Sequence, residues 1–374
     1  MAATPKLFEP LSLRDVTLRN RVVVAPMCQY YATEGIPDAW HRGHHARFAL
    51  GGVGMVIAEA TGVTRDGRIS PGCTGLWNDA QVAAWREITS FHRAHGVVSA
   101  IQLNHAGAKG ATERPWDGNG ALAADGPEPF WETIGPSAIP MRQGWRAPRE
   151  ATVAELDEVV QAFAAAAARA VRAGFDAIEL HGAHGYLLHA FLSPISNRRT
   201  DSYGGDAAGR MRLSLRVAEA VRAAIPPGMP LLWRSSLQDN APDGLTLADT
   251  LPLVRELKPR GVDMVDCSAG GIGAPVSLMV NRQEHGFQVP LAEAVKRDCG
   301  MPSMAVGLIT EPVLAEAILA EGRADCVALA REMIADPNWA YRAARELGLA
   351  APASVLPRSY AFYLDRRAAA QGRH

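Results

Sequence analysis

The chain has 374 residues, enough for one large domain or two small ones, and 48% of them are apolar, so a substantial core can be buried. With 38 basic and 39 acidic residues the formal net charge is −1 and no basic block occurs, which makes nucleic acid and anionic membranes poor partners. No apolar run reaches the roughly 18 residues of a membrane span, and the opening MAATPKLFEP has no signal-peptide core, so a cytoplasmic protein is expected. Five scattered cysteines with no C-x-x-C spacing speak for reduced thiols rather than zinc, an iron–sulfur cluster or disulfides.

Along the chain, LFEPLSLRDVTLRN reads first, as a short hairpin able to plug the amino end of a barrel. Short apolar runs then alternate with helical stretches. The strands are expected at Arg21–Met27, Gly54–Thr61, Val97–Asn104, Phe175–Gly182, Pro230–Ser236, Asp263–Gly270, Pro302–Leu308 and Asp325–Arg331. Near-continuous apolar strands suit a parallel sheet buried on both faces. Helices are expected at Asp79–His95, Thr152–Ala173, Arg210–Ala224, Thr246–Leu257, Val289–Asp298, Glu311–Glu321 and Trp339–Leu347. Thr152–Ala173 is the clearest, with Thr152 as N-cap, Glu155 three residues on and Gly174 as the stop.

Eight strand–helix repeats predict an α/β protein, a single (β/α)8 TIM barrel over 1–374. A doubly wound sheet competes less well, because no G-x-G-x-x-G follows the first strand. The Gly-, Pro- and Trp-rich stretch 105–150 is too long for an ordinary connection and reads as a capping subdomain after strand three. Residues 355–374 form a C-terminal tail.

In such a barrel, chemistry is built at the carboxyl ends of the strands. The block HGAHGYLLHAFLSPISNRRTDSYGG (His181–Gly205) follows the fourth strand and places His181, His184 and Tyr186 there. Two imidazoles can hold a substrate oxygen and a phenol can deliver a proton. The plainer readings are a hydrogen-bonded structural histidine, or two metal ligands, which would want a third ligand and supporting partners. The other strand ends supply Cys28 and Tyr30, Ala60 and Thr61, Gln102 to His105, Arg234, SAGG (Ser268–Gly271), GLIT (Gly307–Thr310) and ALAR (Ala328–Arg331). Glycine turns with an arginine at strands six to eight suggest a phosphate cradle. Gln102 and Arg234 suit the polar edge of a flavin, although Gln102 equally reads as a strand-edge residue.

On APMCQY, GVGMVIAEATGV, IQLNHAGAK, the His181–Gly205 block, AVGLIT and ALAREMIADPNW, the chain resembles the Old Yellow Enzyme family of FMN-dependent ene-reductases from Leu7 to Tyr363. The cysteine in APMCQY points to its thermophilic-like, cysteine-bearing branch. The resemblance implies tightly bound, non-covalent FMN, with NADPH as reductant and activated alkenes (unsaturated aldehydes, ketones, imides and nitroalkenes) as substrates.

It also implies roles. Pro26, Met27, Cys28, Ala60, Gln102, His181 and Arg234 would contact the flavin ring, and Gly307, Ala330 and Arg331 the phosphate. Cys28 would tune the flavin, and Tyr30, Lys109, His181, His184 and Tyr363 would meet substrate. Tyr186 would be the proton donor. Members of this branch associate, so a homo-oligomer, dimer or tetramer, is expected. Three departures bear on pocket shape: Ala108 replaces a frequent arginine, GGDAAGR lacks the usual asparagine, and the tail offers Tyr360, Phe362 and Tyr363 in place of tryptophan.

Three rivals are weaker. The dienoyl-CoA reductase and amine dehydrogenase relatives need more cysteines and more length. A non-redox phosphate-binding barrel wants a Schiff-base lysine or a metal, and Lys109 is the one lysine at a strand end. A non-catalytic flavin-binding protein would leave the His–His–Tyr triplet without a purpose.

Overall fold

The eight apolar runs become eight parallel strands that close on themselves: β1 (Val22–Val24), β2 (Met55–Gly62), β3 (Val98–Asn104), β4 (Ala177–Gly182), β5 (Leu231–Ser236), β6 (Met264–Ser268), β7 (Ser303–Ala305) and β8 (Cys326–Leu329). The computed structural model describes residues 4–126, 128, 130–142, 144–272 and 284–371. Parts of the capping segment (127, 129 and 143) and of the tail (372–374) lie outside the described residues. Each strand pairs with the next in sequence and β8 pairs with β1, so the order is that of a (β/α)8 TIM barrel. Every residue of these strands is buried, as expected of a sheet covered on both faces.

Side chains alternate along a strand, so the inward set can be followed from bottom to top. At the amino end it is apolar: Val23, Met55, Val98, Ala177, Leu232, Met264, Met304 and Cys326 pack with Leu13 and Leu18. Those two leucines come from an antiparallel hairpin, Leu11–Leu13 with Val16–Leu18, which plugs this end as the sequence predicts. Further up, the inward positions of β3 to β6 turn polar. Gln102, Glu179, Arg234 and Asp266 occupy them, all buried. That change of polarity along one interior places the site at the carboxyl end.

The outer ring forms from amphipathic helices. Val153–Ala173 carries the predicted cap: Thr152 Oγ1 accepts from Glu155 N (3.2 Å), the Glu155 carboxylate accepts from Thr152 N (2.8 Å), and Gly174 stops the helix at φ 85°. The other expected helices are present at Asp79–Ala94, Ala207–Ala224, Leu247–Leu257, Val289–Cys299, Pro312–Ala320 and Trp339–Glu346. Ala39–Leu50, Leu187–Leu192, Arg331–Ala335 and Arg358–Ala370 add to them. No helix among the described residues is long and apolar enough to cross a membrane.

Candidate active site

The loop after β4 is built by local hydrogen bonds and braced from behind. His184 takes a left-handed backbone (φ 59°), followed by Gly185 at φ 79°. Gly185 N donates to His189 Nδ1 (2.9 Å), and His189 Nε2 lies 2.9 Å from the buried Asp239 carboxylate. Asp239 also accepts from Ser193 Oγ (2.7 Å) and Leu245 N (2.8 Å). On the other side, His184 N donates to Ser236 Oγ (2.9 Å), whose hydroxyl donates to Gly270 O (2.8 Å). Gly271 (φ 106°) sits so close that a Cβ there would stand 2.4 Å from His184 backbone atoms. The end of β6, expected to join a phosphate cradle, supports the histidine loop.

This bracing fixes the proton of His181. His181 Nδ1 accepts from Ala183 N (3.3 Å), so Nε2 carries the hydrogen of that neutral ring. His184 Nε2 is 2.8 Å from Ser268 Oγ; with the serine donating, Nδ1 carries the other. The two rings are perpendicular with centroids 5.2 Å apart, and Tyr186 lies 4.8 Å from His181. Burial, reinforced by Arg234, holds both imidazoles well below the usual histidine range, so each presents a neutral N–H. Burial pushes the Tyr186 phenol well above its ordinary value, with Cys28 adding to the rise.

Lys109 is drawn into the same corner. Its Nζ donates to His184 O (2.5 Å) and Gly271 O (2.7 Å) and stands 5.7 Å from the Tyr186 ring centroid. Burial, with Arg142 second, brings its ammonium down to about 8. Charged, it clamps two carbonyls; its neutral amine is a weaker donor. The affinity of this corner for an uncharged ligand is therefore expected to fall as pH rises through about 8, and Lys109→Met should flatten that titration. A wild-type profile without this limb would remove the clamp.

Tyr186 shares an apolar cluster with Cys28 and Tyr30, against Ala60, Ile69, Cys73 and Ala106. A register shift between Ala58 and Thr61 in β2 accompanies the entry of Ala60 into that cluster. Burial raises the Cys28 thiol well above its ordinary value, so it stays protonated. All five cysteines are free.

Below lies the polar layer. Gln102 Nε2 donates to Glu179 Oε1 (2.7 Å), and Arg234 Nε stands 3.2 Å from Asp266 Oδ2, close enough to pair but without a hydrogen-bonding angle. Burial lifts Glu179 to about 8, with Asp266 adding to the rise. Several buried polar atoms here make no hydrogen bond, including Arg234 Nε, which has only its ion pair with Asp266, and Glu179 Oε2. Nor does Gln288 Nε2, next to Gly307 at the end of β7. Gly307 has φ 106°, and a Cβ on it would meet the Gln288 and Phe287 side chains at 3.2 Å. Unpaired buried donors ask for a polar ligand, and a flavin mononucleotide fits this set. Gln102 and Arg234 would hold its ring, and the glycine opening with the Gln288 amide its phosphate.

The remaining expected residues are distributed unevenly. Pro26 and Met27 are half-buried on the segment leaving β1, Ala330 is half-buried, and Arg331 is exposed at the start of its helix. Tyr363 is not gathered in. It is 71% exposed on Arg358–Ala370, a helix with no buried residue that packs on Pro352–Val355. Ser236, His189, Asp239 and Gln288 are supporting residues that sequence reasoning missed, and Ser268, read there as part of a glycine turn, meets His184. Among the described residues no group of three or more His, Cys, Asp or Glu could hold a metal ion.

Residues 6–349 match the model of the NADH:flavin oxidoreductase / NADH oxidase family. A Geobacillus sp. (strain WCH70) protein named NADPH dehydrogenase is 44% identical over 351 residues, 93% of this chain and 96% of that one. A Listeria innocua protein of the same name is 41% identical over 348 residues, 92% and 95% of the two chains. Among solved structures, morphinone reductase in complex with tetrahydroNAD superposes with a TM-score of 0.75 at 26% identity, covering 92% of this chain and 91% of that one.

Proposed function

The chain belongs to the NADH:flavin oxidoreductase / NADH oxidase family, with FMN as cofactor and NADPH as reductant, and from that premise we propose that it reduces carbon–carbon double bonds conjugated to a carbonyl or nitro group. The observation that carries the reading is the pairing of two neutral imidazole donors with a protonated phenol 4.8 Å from one of them. FMN, when bound, supplies the hydride that reaches the β-carbon. His181 and His184 donate to the substrate's oxygen, stabilising the charge that gathers there as an oxyanion hole does. Tyr186 gives its proton to the α-carbon, and its raised pKa keeps that proton in place at neutral pH. Lys109 positions the His184 carbonyl, Tyr30 lines the substrate side, and Cys28, as a thiol, borders the reactive edge.

The capping segment 105–150 covers this pocket, and the exposed aromatic tail with Tyr363 is assigned to contact with a second copy of the chain, in a dimer or tetramer.

The test is a visible spectrum of purified protein under anaerobic conditions, first with NADPH and then with cyclohexenone. Yellow protein that bleaches and then recovers its colour is expected. Bleaching without recovery on any activated alkene would overturn alkene reduction. Colourless protein that FMN cannot reconstitute would return the chain to a non-redox barrel.

A further inference from the structure

A cavity of about 540 Å³ lies apart from the histidine loop, between the segments that follow β1 and β2 and the capping segment. One wall is aromatic, Phe130 and Trp131; the indole is pinned by its N–H to Asp66 O (2.8 Å). Most of the rest is charged. Arg65 is held by Glu34 (2.8 Å) and Arg114 by Glu128 (2.9 Å), and the Asp66 carboxylate is the third acid on the wall.

Two guanidinium groups have no carboxylate partner among the described residues. Arg68, only 6% exposed, donates to Arg65 O (2.7 Å) and Pro71 O (3.1 Å) and stands 5.1 Å from the Trp131 ring. Arg146 stands 4.3 Å from the Phe130 ring. Asp117 also stands 3.8 Å from Arg114, so acids match arginines in number, and Arg68 and Arg146 are the guanidinium groups set beside two flat rings without a carboxylate. A second cavity of about 310 Å³, lined by Tyr30 and Trp116, shares Ala32, Thr33 and Arg114 with the first. Tyr30 in turn packs in the cluster that holds Tyr186 and Cys28. The second cavity thus carries the first as far as Tyr30, whose other side packs in the cluster of Tyr186.

We propose that this cavity receives the adenosine phosphate half of NADPH while its nicotinamide enters the pocket at Tyr186. The inference rests on the reading of that pocket as the flavin site. A purine can stack on Trp131 or Phe130, and unpaired guanidinium groups bind phosphate with charge-assisted hydrogen bonds. The volume lies within the roughly 300–1,000 Å³ of ligand pockets. Arg146 and Arg68 would then also favour a 2′-phosphate over a free hydroxyl.

Adenosine 2′,5′-bisphosphate, which has the purine and phosphates but no nicotinamide, is the probe. In stopped-flow bleaching of the holoenzyme it should raise the apparent Kd for NADPH and leave bleaching by reduced nicotinamide mononucleotide unchanged. Trp131→Ala and Arg146→Ala should each weaken NADPH by about tenfold, the scale of one lost stacking or charged contact, with the mononucleotide unaffected. Inhibition of both reductants alike, or of neither, overturns the proposal, as do variants whose NADPH affinity stays within about twofold of wild type. If the alkene then fails to restore the colour, the functional reading falls while the nucleotide site stands.

Discussion

The Tyr186→Phe enzyme is expected to bleach with NADPH at the wild-type rate and to lose alkene turnover by about 10²–10⁴, the contribution of a positioned general acid. The substitution removes one oxygen and keeps the ring, which packs with Cys28, Tyr30, Ala60 and Cys73 and meets His181 edge-on. The fold and the flavin site should therefore be undisturbed, and the intact reduction by NADPH is the internal control. Burial raises the Tyr186 pKa above its usual value, so its proton is fully present below about pH 10 and lost only above it. The phenol thus adds no pH dependence to turnover in the neutral range; the limb near 8 belongs to Lys109. Double-mixing stopped flow separates the two halves: the enzyme is first reduced, then mixed with cyclohexenone, and recovery of colour is timed. Recovery at the wild-type rate would remove Tyr186 from the reaction.

The barrel was legible because its strands are uniformly apolar and its best helix is capped by Thr152, Glu155 and Gly174, signals that act over a few residues. Ala39–Leu50 was not. Its buried face consists of His41, His45, Phe48 and Ala49, so histidines stand where apolar residues would mark the period. Leu187–Leu192 was hidden for the opposite reason, since all six of its residues are buried and no polar face breaks the run. In the site, His181, His184, Tyr186 and Lys109 could be read because strand ends and a dense motif mark them. The roles of Ser236, Ser268 and Asp239 could not, because each acts through a partner far along the chain, a distance set only by barrel closure: Ser236 and His184 are 52 apart, Ser193 and Asp239 46, and Ser268 and His184 84. The same holds for Gln288, ordinary in sequence and conspicuous only as a buried amide without an acceptor.

Removing the two imidazoles should separate binding from proton delivery. His181→Ala and His184→Ala are each expected to lower the rate of alkene reduction by about 10²–10³, as loss of one oxyanion-hole donor does. Each should weaken cyclohexenone binding to oxidised enzyme by about tenfold, near the upper end of one neutral hydrogen bond. Both rings lie well below the ordinary histidine range, through burial and Arg234, so neither should titrate near neutrality. An acid limb in enone affinity with a midpoint near about 6.5 would show an ordinary imidazole and overturn the neutral-donor reading. His184→Asn keeps an N–H donor in place of the ring and should recover part of the loss, which a role in packing alone would not allow. Ser268→Ala leaves both rings in place but removes the hydroxyl 2.8 Å from His184 Nε2, freeing that ring to change tautomer. Its effect should fall on the alkene step and spare NADPH reduction, because the serine reaches the substrate only through His184.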